Sequence, residues 1–300
     1  MTNILFFGAT GKLGRHWVKK ISKKNVIYCN VHFNNKIPKG KNIKRVKMNL
    51  ENYKEINSFC SNNDISLIIN CIGLPNVEFC QTYKKMALKI NHLIPSQLCK
   101  IAKKLKISFV HISTDMLFDG NSFKKYSESS SYNPINQYSK TKVKAEKFIS
   151  KYNKSLIIRA NFFGIGEKKN MTISDKLIYE QKLKKKSYLW SDIHFTPMYI
   201  PILIFFINLL IKTNSKGIFN VSSNKGISKF DFGQKIIVKI IKKKKVFANK
   251  FDKKKFVIRP KNMCLDNKKL KRKFIKYKDK LTLKYQISSF VRDYKLINES

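Results

Sequence analysis

The chain has 300 residues, of which 43% are hydrophobic, so it is long enough for one large domain or two small ones with a substantial core. Its formal net charge is +45. The excess is spread along the whole chain and is almost all Lys, whereas Arg predominates where proteins bind bases and phosphates bidentately. We therefore expect no nucleic-acid partner, although the positive field would attract an anionic substrate or cofactor.

No stretch suggests a leader, a membrane anchor or a metal site. Met1 to Thr10 run directly into a glycine-rich turn, so no signal peptide is expected. The longest apolar run, Tyr199 to Ile211, is shorter than the roughly 20 residues of a membrane span, which predicts a cytoplasmic protein with no membrane insertion. The six cysteines show no CxxC pair and no matching His spacing, so we expect reduced thiols and no metal.

The first predicted strand, Asn3 to Phe7, leads into a glycine turn and then a helix. This order is typical of a dinucleotide phosphate site. Gly8 and Gly11 would permit the turn and a close approach of the pyrophosphate, Gly14 would let the helix pack on the strand, and the amides at the start of the helix would face the phosphates. Cofactor contacts are predicted from Gly8, Thr10, Gly11, Lys12, Leu13 and Gly14.

The second predicted strand, Val26 to Phe33, carries no acid near its end. NAD-specific sites usually have one there for the ribose hydroxyls. Arg15 and Lys12 would instead lie near a 2′-phosphate. NADPH is therefore the expected cofactor, with NADH as the alternative.

Strands and helices continue to alternate. We predict a third strand over Val46 to Leu50, a fourth ending at Asn70, a helix from Lys84 to Leu105 interrupted at Pro95, and a fifth strand ending at Ser113. Such alternation predicts a Rossmann-type α/β fold with a doubly wound parallel sheet over residues 1–165. A smaller C-terminal α/β substrate-binding region would follow over 166–300, with some elements returning to the sheet. Further cofactor contacts are predicted from Asn49, Leu50, Cys71, Ile72, Gly73 and Asn91.

The stretch around the fifth strand carries the chemistry. Thr114 and Asp115 follow this strand at its carboxyl end, where open α/β sheets place ligands. Tyr138 and Lys142 would share one face of a helix, and an ammonium beside a phenol favours the phenolate. Thr114, Tyr138 and Lys142 are therefore the candidate catalytic residues for protonating a carbonyl oxygen as hydride arrives at its carbon. His111, inside the strand, is expected to be a packed core residue.

Together these residues resemble an extended short-chain dehydrogenase/reductase, and more narrowly the dTDP-4-dehydrorhamnose reductase family. The turn GATGKLG at 8–14 is similar to the superfamily's cofactor loop. HISTDMLFDG at 111–120 is similar to the family's strand-five signature, and YSKTK at 138–142 supplies the Tyr-xxx-Lys pair. Arg259-Pro260 and Leu265-Asp266 resemble a late segment of the family.

The resemblance implies reduction by NADPH of the 4-keto group of a nucleotide-activated 4-keto-6-deoxy sugar, for deoxysugar and surface polysaccharide biosynthesis. Tyr138 would be the acid, and both Tyr138 and Lys142 would contact the cofactor, Lys142 by holding the nicotinamide ribose. Thr114 would bond the carbonyl or the phenol. The sugar and the nucleotide stay open. So does the oligomeric state, with which a homodimer is compatible.

Three residues are weaker candidates for the substrate side, each with a structural alternative. Asp115 would contact the sugar or cap the turn that follows it. Asn161, close behind Arg159, would border the substrate pocket or hold its own loop. Trp190 would stack on the nucleotide base or pack internally.

Two alternatives remain open at this point. One is a sugar-nucleotide dehydratase or epimerase of the same superfamily, although a 4,6-dehydratase would be expected to carry an acid where Met116 stands. The other is a non-catalytic subunit that keeps the fold and binds a partner, as the regulatory subunit of methionine adenosyltransferase does.

Overall fold

The structure is a computed structural model that describes residues 2–31, 37–165, 171–241 and 246–299. The predicted end of the second strand at His32 and Phe33 lies outside these described residues. The strands are β1 (Thr2–Phe7), β2 (Asn25–Asn30), β3 (Ile43–Val46), β4 (Ile65–Asn70), β5 (Ser108–Ile112), β6 (Ser155–Arg159), β7 (Asn161–Phe163), β8 (Tyr188–Trp190), β9 (His194–Phe195), β10 (Pro197–Tyr199), β11 (Gly217–Asn220), β12 (Ile227–Ser228) and β13 (Phe247–Asn249).

The helices connect these strands. They are α1 (Lys12–Ile21), α2 (Tyr53–Asn62), α3 (Val77–Thr82), α4 (Lys84–Leu88), α5 (Ile94–Lys104), α6 (Gln137–Ile149), α7 (Ile173–Lys182), α8 (Ile200–Lys212), α9 (Lys229–Ile240), α10 (Lys268–Lys273) and α11 (Leu283–Glu299). A π-helical turn, Lys89–Leu93, joins α4 to α5, and a 3-10 turn, Ile275–Leu281, precedes α11. No helix within the described ranges is long and apolar enough to cross a membrane.

The chain forms two compact units. The first comprises Met1–Ser113, Asn136–Ile158 and Leu210–Ile218, and the second comprises Thr114–Ile135, Arg159–Leu209 and Phe219–Ser300. The sequence-based boundary at residue 165 stays a prediction.

The first unit is built on a seven-stranded sheet with the order β11-β6-β5-β4-β1-β2-β3. The pairs from β6 through β3 are parallel. Strands such as β1 are continuous apolar runs because both faces of a parallel sheet are covered, and Leu5, Phe6 and Phe7 are fully buried. Strand order reverses direction between β1 and β4, so the predicted Rossmann-type doubly wound fold is confirmed.

The third strand ends earlier than its sequence suggests. It covers Ile43–Val46, in register with β2 as far as the pair Asn30–Val46. Beyond that pair, the side chain of Asn30 replaces the strand ladder, since its Oδ1 accepts from the backbone N–H of Met48 at 2.9 Å and its Nδ2 donates to the Met48 carbonyl at 3.3 Å. The prediction of a strand over Val46 to Leu50 was therefore wrong, and Asn49 and Leu50 lie in the loop that follows.

Prolines lie near the start of two helices. The interruption expected at Pro95 is confirmed: a π-helical turn precedes α5, and Pro95 lies in the first turn of α5. A helix tolerates proline there because that N–H has no partner within the helix. Helix α8 begins at Ile200, after Pro197–Tyr199, which pair in parallel with β7 as β10.

The second unit has small two-stranded sheets around an aromatic core. The pairs β7–β10 and β8–β13 are parallel, and β9–β12 is antiparallel. Phe163 lies at the centre of the core, with ring centroids 4.8 Å from Phe232 and 5.4 Å from Phe290. Helix α9 begins after its N-cap Ser228, whose hydroxyl accepts from the backbone N–H of Asp231 at 3.0 Å.

Candidate active site

The glycine turn of the first unit leaves no room for a side chain at Gly8 or at Gly14. Gly8 has a φ of +86°, which L side chains rarely adopt, and a Cβ on it would lie 2.7 Å from the carbonyl carbon of Cys71 and 2.9 Å from the nitrogen of Ile72. A Cβ on Gly14 would lie 2.1 Å from the Gly8 carbonyl oxygen. The predicted roles of these glycines in the turn and in helix packing therefore match the geometry.

Helix α1 opens at this turn. Its N-cap, Gly11, has an extended backbone and no side chain to cap the helix, and its N–H donates to the Gly8 carbonyl at 3.1 Å. The first turn contains no acid, so the positive end of the helix dipole is not neutralised by a side chain of that turn. A tight glycine turn at a helix start fits a dinucleotide pyrophosphate. Thr10, Lys12 and Leu13 lie at this turn.

A polar pair ends the neighbouring strands. Asn70 and His111 are partners across β4 and β5, and both side chains are fully buried. Asn70 Nδ2 lies 3.0 Å from His111 Nδ1, and Asn70 Oδ1 accepts from the backbone N–H of Ile72 at 3.0 Å. His111 is thus buried as predicted, but it belongs to a hydrogen-bond network that continues to α6.

Lys142 completes that network from α6. It is 3% exposed, and its Nζ donates to the Ile112 carbonyl at 2.8 Å and lies 3.3 Å from His111 Nε2. Burial lowers the pKa of Lys142 to about 8, although the charge of Glu146 acts in the opposite direction. Tyr138, one turn earlier on the same helix, is 9% exposed. The first unit therefore buries the predicted amine at the carboxyl end of β5.

Asn91 supports the segment that carries the predicted cofactor contacts 71–73. It lies in the π-helical turn, its Oδ1 accepts from the Leu74 N–H at 2.8 Å, and its Nδ2 donates to the Leu74 carbonyl at 3.2 Å and to the Thr141 hydroxyl at 3.3 Å. Its amide is thus engaged with the protein itself. The Asn91 side chain therefore holds the backbone next to Gly73. Contact between Asn91 and the cofactor stays a prediction.

The predicted adenine contacts lie in the loop after β3. The backbone N–H of Asn49 donates to Glu55 Oε2 at 3.1 Å, and the Leu50 carbonyl accepts from Gln97 Nε2 at 3.1 Å. These bonds fix the loop backbone through α2 and α5. The adenine contact itself stays a prediction.

The second unit brings together Thr114, Asp115 and Asn161. Asn161 Nδ2 donates to Asp115 Oδ2 at 2.8 Å, and the Thr114 hydroxyl donates to Asp115 Oδ1 at 3.3 Å. Asp115 is 1% exposed, and burial raises its pKa to about 6, against the bonds from Asn161 and Thr114 and the charge of Lys229. A buried carboxyl that titrates near neutrality can exchange a proton at working pH.

Trp190 lies in the same unit, at the end of β8. Phe251 and Phe256 pack edge-on against its ring at 5.1 and 5.5 Å, and the cations of Lys229 and Arg259 lie over it at 5.1 and 5.2 Å. The ring is therefore packed within the unit, the structural alternative considered for it. Stacking on a nucleotide base stays a prediction.

Sequence reasoning missed the parts played by Asn70 and Asn30. Both are buried amides at the last position of an apolar strand, and both hold backbone beyond their own strand. A polar residue that closes a buried strand was the available signal, since buried amides must be hydrogen-bonded.

Fold and site together define a Rossmann-type α/β protein with a glycine-turn nucleotide cradle and a buried Tyr-xxx-Lys helix. The model of the RmlD substrate binding domain family matches residues 1–295. The chain belongs to this family.

Curated relatives match part of the chain. The probable low-salt glycan biosynthesis reductase Agl14 of Haloferax volcanii is 27% identical over 58% of this chain and 59% of its own length. The dTDP-4-dehydrorhamnose reductase of Escherichia coli is 26% identical over 56% and 54%. The methionine adenosyltransferase 2 subunit beta of Bos taurus is 27% identical over 50% and 43%. The matched stretches thus span about half the length of these relatives.

Solved structures share the fold over nearly the whole chain. A dTDP-4-dehydrorhamnose reductase from Clostridium acetobutylicum has a TM-score of 0.81 at 24% identity, over 98% of this chain and 100% of that one. A Bacillus anthracis dTDP-4-dehydrorhamnose reductase in complex with NADP has a TM-score of 0.77 at 22% identity, over 91% and 93%.

Proposed function

We propose that this protein reduces the 4-keto group of a nucleotide-activated 4-keto-6-deoxy sugar. The observation that carries the proposal is the buried Lys142 at the carboxyl end of β5, one helical turn from Tyr138 and in the same unit as the glycine cradle. Membership of the RmlD family and the relatives named as sugar reductases support this substrate class.

NADPH is the proposed cofactor, and when bound it would supply the hydride. Gly8 and Gly14 leave no room for a Cβ, and the tight turn that contains them lies at a helix start with no acid in its first turn. A structural neighbour holds NADP. Lys12 and Arg15 are proposed to face the 2′-phosphate, where a carboxylate would repel it.

Tyr138 is proposed to donate its phenolic proton to the sugar oxygen as negative charge develops there. The ammonium of Lys142 would stabilise the phenolate that remains. For Thr114, a hydrogen bond to the carbonyl or the phenol stays an expectation from the family resemblance. General-acid assistance of this kind is worth about 10²–10⁴-fold, and the alignment of sugar and cofactor would supply much of the rest.

Replacing Tyr138 by Phe tests this assignment. Oxidation of NADPH in the presence of a dTDP-linked 4-keto-6-deoxy sugar is followed at the nicotinamide absorbance band. We expect the rate to fall by about 10²–10⁴-fold, since the proton donor is lost, while NADPH binding, measured by fluorescence, is kept. An unchanged rate would show that Tyr138 is not the acid.

A second candidate function is favoured by the similarity to methionine adenosyltransferase 2 subunit beta. In that case the fold would bind a partner protein and carry out no turnover. Two assays on one preparation of the protein distinguish these functions. Steady oxidation of NADPH with a sugar substrate supports the reductase, whereas absence of turnover with every nucleotide 4-keto sugar, together with stable binding to a methionine adenosyltransferase catalytic subunit, supports the regulatory role.

A further inference from the structure

We propose that His111 is a positioning residue that holds the amine of Lys142 and favours its neutral form, through a hydrogen-bond chain that begins at the backbone of Ile72. The inference rests on the proposed reductase function, and it assigns to the strand histidine a part in the proton supply of that reaction. All the groups involved belong to the first unit.

The chain fixes which ring nitrogen carries hydrogen. The backbone N–H of Ile72 can only donate, so the oxygen of the Asn70 amide must face it, at 3.0 Å. The amide nitrogen of Asn70 then faces His111 Nδ1, at 3.0 Å. An amide nitrogen is a donor only, so Nδ1 must accept, and the hydrogen of the neutral ring lies on Nε2.

Nε2 in turn faces Nζ of Lys142 at 3.3 Å. An ammonium offers only donors, so it opposes an Nε2–H, whereas a neutral amine offers a lone pair that can accept from it. Nζ has one clear acceptor in the Ile112 carbonyl, at 2.8 Å. The imidazole therefore stabilises the deprotonated amine more than the ammonium.

The charges around the amine modulate this preference. From β5 it faces His111, whose own pKa is lowered well below its usual value by burial and by Lys142. Along α6, the charge of Glu146 raises the pKa of Lys142, but burial outweighs it and lowers that pKa to about 8. Cys71, in the segment after β4, has its own pKa raised by burial, so its thiol is neutral.

A lysine held in this way can return a proton to the acid. As hydride adds to the carbonyl carbon, the carbonyl oxygen forms a bond to the proton of Tyr138, and the Oη–H bond breaks. The phenolate then takes a proton from the Lys142 ammonium, which is left as a neutral amine that accepts from Nε2–H. One proton from solvent water restores the ammonium, so atoms and charge balance over the cycle.

Labelling the histidines with ¹⁵N tests the hydrogen-bond chain without any turnover. Long-range ¹H–¹⁵N spectra report which ring nitrogen carries hydrogen, and the His111→Leu variant identifies the signal. We expect the hydrogen on Nε2, and a hydrogen on Nδ1 overturns the proposal. Because this readout needs neither sugar nor cofactor, it tests the hydrogen-bond chain even if the reductase function fails.

The Asn70→Asp variant is a near-isosteric second test. One carboxylate oxygen still accepts from Ile72, and the other faces Nδ1 as an acceptor, so the hydrogen should move to Nδ1 and Nε2 should accept from the ammonium. The Lys142 titration, followed through the His111 ring, should then move upward by about one pH unit or more. An unchanged tautomer in this variant contradicts the proposal.

The pH dependence of kcat/KM separates positioning from mere packing. If Lys142 must be charged, kcat/KM falls on the basic side as the amine deprotonates. His111→Leu removes the opposing N–H without adding charge, so this basic limb should move upward by about one pH unit. A purely structural histidine would lower activity equally at every pH, and an unmoved limb in a folded variant would overturn the proposal.

Discussion

Each unit buries a candidate residue whose pKa is shifted by burial, Lys142 in the first and Asp115 in the second, and the two units compensate that burial differently. Lys142 in the first unit has a backbone carbonyl and an imidazole as partners. Asp115 in the second has an amide and a hydroxyl that both donate to its carboxylate. Burial dominates in both, so the pKa of Lys142 falls to about 8 and that of Asp115 rises to about 6.

The difference lies in what the partners favour. Asn161 and Thr114 stabilise the charged form of Asp115, so they reduce the cost of burying it. His111 acts on Lys142 in the same direction as burial. The pKa of a buried ionisable group can therefore lie near neutrality either against the effect of its hydrogen-bond partners, as for Asp115, or in line with it, as for Lys142.

The largest expected effect comes from removing the charge of the first unit. Lys142→Met should lower NADPH-dependent turnover by about 10²–10⁴-fold, since neither the phenolate nor its reprotonation is then supported. Steady-state kinetics measure it. Lys144→Met, at an exposed position on the same helix, is the matched control and should retain the wild-type rate. Equal losses in both variants would mean that general helix damage is responsible.

Gly14→Ala should destabilise the first unit by about 3 kcal/mol, since its Cβ would overlap the Gly8 carbonyl oxygen at 2.1 Å. Urea unfolding measures this, and NADPH affinity should fall with it. Gly73→Ala is the control, because its Cβ would make an ordinary contact at 3.7 Å with Asn91. Similar stabilities for the two variants would argue against the close approach within the glycine turn.

Asp115→Asn should stabilise the protein at pH 7.5 by about 1–3 kcal/mol. Burial raises the pKa of Asp115 in the folded state from 3.8 to about 6. Its ionisation therefore destabilises the folded state above pH 6, and this destabilisation disappears as the pH falls towards 4. The gain should therefore vanish near pH 4 in urea unfolding. Asp119→Asn is the control. Hydrogen bonds, chiefly from Asn121, lower the pKa of Asp119, so this substitution should lower the free energy of unfolding at pH 7.5 instead of raising it. A gain that is independent of pH would contradict the argument.

The smallest expected effects are at helix caps, one in each unit. Asn136 accepts from the Ser139 N–H at 2.9 Å at the start of α6, and Ser228 accepts from the Asp231 N–H at 3.0 Å at the start of α9. Substituting Ala at either position should cost about 1 kcal/mol. Ser228→Thr keeps both the acceptor and the hydroxyl that donates to Asp231 Oδ2 at 2.6 Å, so it should lose little. If each Ala variant lowers a separate unfolding transition, the units unfold independently.

Much of the first unit could be predicted from local patterns. The apolar strands, the glycine turn and the Tyr138–Lys142 pair each depend on residues close together in the chain, and periodicity or spacing reveals them. The end of the third strand could not be predicted in this way, because it depends on hydrogen bonds between the Asn30 side chain and the backbone of Met48, 18 residues later.

The sequence alone determined the doubly wound sheet, the glycine turn at Gly8 to Gly14 and the candidate pair Tyr138 and Lys142, because each depends on residues that are close together in the chain. Only the tertiary structure decided that His111 belongs to the network of Lys142, that Asn91 holds Leu74, and that Trp190 is packed among Phe251 and Phe256. These contacts join residues far apart in the chain, and burial, which sets their hydrogen bonding and charge, exists only once the chain has folded.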